Sequence, residues 1–151
     1  MTTQREFQFH DDRDEALRAI DDVASGRGWV NLTPLIDDDA PDMRVNVVGL
    51  WKTYGNVVAT FVTAAPRRGV AVASSLGVLH TRGRLGAERV ASLVGDAGFV
   101  LRQDNAQRGV LLDVPADAPA RAVLDVMCAF ADALCDYDAR GGWRMRVFTH
   151  A

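Results

Sequence analysis

His80 best combines a titratable side chain with a charged neighbourhood. It closes the apolar run Val70 to Leu79, and Thr81-Arg-Gly-Arg-Leu-Gly86 follows at once. Imidazole titrates near neutral pH, so a histidine at a strand end beside a glycine- and arginine-rich loop can act as a general base. The same loop precedes a helical stripe, whose first N–H groups, helped by Arg82, Arg84 and Arg89, could bind an anion. The plainer reading is a flexible turn with solvated arginines, because neither GxGxxG nor GKS/T marks a nucleotide site. Ser74 and Ser75 share the predicted strand with His80, but neither lies in a nucleophile-elbow context. The sequence assigns no catalytic residue.

Other chemistry-bearing residues are scattered. His10, His80 and His150 lack a second ligand at metal spacing, so neither a metal nor a cofactor is expected. Asp37-Asp-Asp-Ala-Pro-Asp42 offers clustered carboxylates, but without the glycine and terminal glutamate of an EF-hand it reads as a solvated linker. Cys128 and Cys135, seven residues apart on one predicted helix, would have Cα atoms about 10 Å apart, too far for a disulfide. They read as reduced thiols. Arginines supply 16 of the 17 basic residues, Lys52 being the exception. Arg67, Arg68, Arg102, Arg108, Arg144 and Arg146, with Trp143, would form a nucleic-acid or partner surface if the fold gathered them on one face. A pI near 5.5 weighs against nucleic acid.

The elements that must position these residues are partly legible. Val123, Val126, Met127, Phe130, Leu134 and Tyr137 recur at helical spacing, predicting a long amphipathic helix over 117–137. Asp117 is the expected N-cap, with Pro119 in the first turn. Before it, Phe99–Gln103 and Arg108–Val114 flank Asp104-Asn-Ala-Gln107, a predicted hairpin over 99–114. A second helix is expected over 86–98, ending at Gly98. A first is expected over 12–25, capped by Asp12 with Glu15 three residues on. Residues 43–51, 57–64 and 70–80 read as a three-strand meander. Glu6–His10 reads as an edge strand, 29–36 as a strand up to Pro34, and 142–149 as a last strand in which Trp143, Met145 and Val147 alternate with Arg144 and Arg146.

Length and composition bound the class. A chain of 151 residues, 48% hydrophobic, fits one α+β domain built on an antiparallel sheet, with 1–42 an acidic N-terminal helix and linker. Residues 1–42 carry a net charge of −7 and residues 43–151 a net of +4. No apolar run reaches 18 residues and the N-terminus lacks a signal-peptide core, so a cytoplasmic protein without a membrane span is expected.

The order of helix, meander, helix, hairpin and long helix, carried by Val45–Ala64, Leu85–Gly98, Phe99–Val114 and Ala118–Tyr137, resembles the type III secretion chaperone-like fold of soluble bacterial families of the sensory-transduction-regulator kind. The strand after the last helix departs from that pattern. Tyr137-Asp138 followed by Gly141-Gly142-Trp143 is more faintly similar to the ribonuclease E inhibitor B family, with an insertion inside the motif. Both resemblances imply a non-enzymatic protein binder and transfer no site residues. The expected function is a chaperone-like or regulatory protein-binding module, as a homodimer, using a sheet face or a helix groove. The alternatives are a small ligand-binding domain or enzyme using His80 with the Arg82/Arg84 loop, and an RNA-binding regulator using the arginines.

Overall fold

The computed structural model describes residues 2–26, 28–36, 57–63, 74–136 and 139–150. Seven strands form one antiparallel sheet: β1 (Thr2–Phe9), β2 (Gly28–Ile36), β3 (Val58–Val62), β4 (Ser74–Leu79), β5 (Val100–Asn105), β6 (Gly109–Val114) and β7 (Ala139–His150). Their spatial order is β1-β7-β2-β3-β4-β6-β5. Three helices, α1 (Asp14–Ser25), α2 (Ala87–Val94) and α3 (Ala120–Leu134), complete the α+β fold. Within the predicted meander, β3 pairs with β4; the third member, 43–51, and the acidic run 37–42 lie outside the described residues.

Strand alternation sends every second side chain to the same face. Paired positions therefore line up in rows across the sheet. One row runs Phe7, Met145, Leu32, Ala59, Val78, Val110. The next runs Val147, Val30, Phe61, Leu76, Leu112, Leu101. All but Phe7 and Leu101 are buried, and both of these pack against the core. α3 lies over this face with Leu124, Met127, Phe130 and Leu134 fully buried, and α1 adds Ile20 and Val23. Burying each such side chain contributes about 1.5–3 kcal/mol.

Several expectations shift. β1 covers eight residues and pairs along its whole length with β7, so residues 2–9 belong to the sheet. β1 lies at the sheet edge, as expected for Glu6–His10, and β7 sits between β1 and β2. Pro34 does not end β2: the register slips between Pro34 and Ile36, and such an irregularity tolerates a residue without an N–H. α1 begins one residue later than the predicted cap implies, since Asp12 accepts the Asp14 N–H at 3.0 Å and Arg13 takes the cap position. Asp117 does not cap α3. The ring of Pro119 disfavours helical backbone at Ala118, so the helix starts only at Ala120, with the Pro119 carbonyl accepting from Ala122 and Val123. The helix ends at Leu134, and Tyr137 lies outside the described residues.

Candidate functional site: the helical face and its loops

His80 is fully buried at the end of β4. Its Nδ1 accepts the Arg82 N–H at 3.1 Å, which turns the chain out of the strand. The expected general base is thus buried and serves as a turn-forming residue. The loop after it is tied to the end of α3. The Asp136 carboxylate accepts from the Thr81 hydroxyl and from Arg82 Nε, the latter at 2.7 Å. Arg82 Nη2 also donates to the Cys135 carbonyl at 3.2 Å. α3 has no basic residue of its own in its last turn, so Arg82 supplies the cation that the carbonyl end of a helix favours.

Two N–H groups at the approach to α2, those of Leu85 and the cap residue Gly86, are engaged from within the chain. Asp104 Oδ1 accepts from Leu85 N at 3.0 Å, and Oδ2 from Gly86 N at 2.7 Å. The Asp104 side chain is only 7% exposed, and Arg84 Nε lies 3.9 Å from it. Its orientation comes from a bulge in β5. Leu101 pairs with Leu112 on the core side, but the register slips by one at Arg102, and Asp104 then pairs with Val110, again on the core side. Without the extra residue, strand parity would point Asp104 to the opposite face. Arg89 stands exposed on α2. His80, Arg82, Arg84 and Arg89 thus do not converge on one pocket.

The arginine set is dispersed as well. Arg144 and Arg146 leave the outer face of β7 and share one carboxylate, Glu6, at 3.1 and 3.2 Å. Arg102 donates twice to Asp113 Oδ2, at 3.0 and 2.8 Å. These clusters lie on β7 and β5, five strand spacings or about 24 Å apart. Arg108 is exposed in the β5–β6 turn, where Asn105 Oδ1 holds the backbone N–H groups of Gln107 and Arg108. Trp143 is half-buried against the core, on the opposite face from Arg144 and Arg146. Arg67 and Arg68 lie outside the described residues. An aromatic pair that the sequence did not reveal, Trp29 stacked on Phe148 at 4.7 Å, occupies the outer face instead, with His150 beside it. Its only signal is the β2–β7 register.

One concavity among the described residues is on the helical side. Between α2 and α3 runs a groove of about 580 Å³, with Leu93, Val94, Ala97, Ala122, Val126 and Ala129 in its apolar lining. Asp96, Arg121 and Asp125 stand at its rim. Two further hollows, of about 440 and 430 Å³, lie around the α1–α3 junction. Asp125 lines all three and pairs with Arg13 at 3.0 Å. Cys128 lines one of them, but burial pushes its thiol up to about 11, and at neutral pH it is protonated and a poor nucleophile. Among the described residues no three His, Cys, Asp or Glu side chains cluster as metal ligands, and no helix is long and apolar enough to cross a membrane.

Compared with known proteins, the chain matches no family model and no curated sequence.

Proposed function

We propose that this chain is a non-enzymatic protein-binding module of the chaperone-like or regulatory kind, and that it holds its partner in the groove between α2 and α3. The observation that carries this reading is the apolar floor of that groove. Leu93, Ala97, Ala122 and Ala129 remain half-exposed along it. Apolar concavities rimmed by polar residues are characteristic of protein docking sites. The chemistry-bearing residues support it by their placement: His80 faces the interior, Cys128 is held as a thiol, and the loop arginines pair with the chain's own carboxylates. The buried thiol of Cys128 fits a reducing, cytoplasmic setting. The resemblance in element order to the chaperone-like fold points the same way.

The test uses the tagged full chain on lysate, beside two variants. Ala122→Gln/Ala129→Gln fills the groove with neutral, helix-compatible side chains. Val62→Lys alters an exposed position on the outer sheet face. The expected result is a protein retained by wild type and by Val62→Lys but lost with the filled groove. Retention by all three overturns the reading.

A further inference from the structure

The helical layer carries a strong charge. The segments 11–25, 87–97 and 117–136, which hold the three helices and their flanks, contain twelve carboxylates and four arginines, a net of −8. The whole chain carries only −3. Arg5 and Arg82, from outside these segments, pair with Glu15 and Asp136, and the helical layer of the described residues stays acidic around the groove. Oriented fields of this kind select partners of opposite sign and repel those of like sign.

We infer that the occupant of the α2–α3 groove is an amphipathic helix with lysine or arginine flanking its apolar stripe. This rests on the proposed docking function and identifies the class of partner. The groove follows α3 from Pro119 to Ala129, about 15 Å, the length of a three-turn helix. Ala122 and Ala129, seven residues apart, stand on the same side of α3, and their small side chains let a second backbone approach closely. Leu93 and Ala97 offer apolar contact to residues at i, i+3, i+4 and i+7 of such a partner. Asp96 and Asp125 meet its basic flanks; Arg121 shares the lining and Arg13 pairs with Asp125, so the selection by charge comes mainly from the wider acidic layer. A second copy of this chain is a poor occupant of the same face, because it would set one net charge of −8 against another. Nucleic acid and anionic lipid surfaces are repelled for the same reason.

The probe is a fluorescein-labelled peptide of about 18 residues, long enough to lie along α3. It carries leucines at i, i+3, i+4 and i+7 and lysines on both flanks. A matched peptide replaces every lysine with glutamate. Anisotropy titrations compare wild type, Ala122→Gln/Ala129→Gln and Val62→Lys, each first shown to be folded by circular dichroism. The lysine peptide should bind at least about tenfold tighter than the glutamate peptide. Its affinity should fall about tenfold in the filled-groove variant, weaken with salt, and stay unchanged in Val62→Lys. If both peptides bind equally and both are displaced by the filled groove, the basic-partner inference is overturned while groove docking stands. If the lysine peptide binds the filled groove as well as wild type, or does not bind at all, the basic helix is not the occupant; the lysate comparison above then decides groove docking separately.

Discussion

Replacing Asp104 by alanine should release the start of α2 without touching the core. The carboxylate accepts two backbone N–H bonds, from Leu85 at 3.0 Å and Gly86 at 2.7 Å, and its side chain is 7% exposed. A hydrogen bond to a charged group contributes about 1.5–3 kcal/mol, and alanine would leave both donors without an acceptor. The expected loss is therefore about 3–5 kcal/mol, bounded above by the free energy of undocking α2 locally. Asp104→Asn keeps one oxygen and should lose roughly half as much. For a domain of this length each 1 kcal/mol lowers Tm by about 2–4 °C. Urea unfolding gives the loss, and hydrogen exchange followed by mass spectrometry locates it. Amides of residues 85–94 should exchange faster in Asp104→Ala, while those of β7 should change little. A variant within about 0.5 kcal/mol of wild type, with α2 protection intact, would refute the assignment of Asp104 as the brace of this helix.

Further outcomes follow from packing and burial. Phe130→Ala, at a fully buried position on α3, should cost about 3–5 kcal/mol in chemical denaturation. Gly109 has φ +79°, and a Cβ there would lie 2.0 Å from the Val78 carbonyl oxygen, so Gly109→Ala should forfeit at least about 2 kcal/mol or fail to fold at all. Burial of the Cys128 thiol lifts it from 9.0 to about 11. The unfolded thiol ionises first, so its contribution is complete below pH 9 and is lost as pH rises towards 11. Denaturation midpoints in that window should fall more steeply for wild type than for Cys128→Ala.

What could be read from the sequence was whatever depends on local spacing. The stripe of Val123, Met127, Phe130 and Leu134 needs only the helical period, and the structure buries all four residues. Likewise, the alternation of Met145 and Val147 with Arg144 and Arg146 needs only the strand period, and β7 sorts them to opposite faces. The missed features depend on pairing across the chain. Asp104 reads as a turn residue, and only the register slip at Arg102 turns it towards α2. His80 looks like a surface base from its neighbours in sequence, yet the fold closes over it. Arg82 and Arg84 look available until Asp136 and Asp104 arrive from 54 and 20 residues away in sequence. The groove was expected only as a class of site. Its apolar residues, three of them alanines, carry no chemical signature in the sequence.

Hydrogen exchange of the full chain with and without the saturating lysine-flanked peptide tests the docking account most directly. The account predicts added protection confined to residues 93–97 and 119–130, which line the groove. Protection centred instead on β2 and β7, around Trp29 and Phe148, would contradict it and move the binding face to the other side of the sheet.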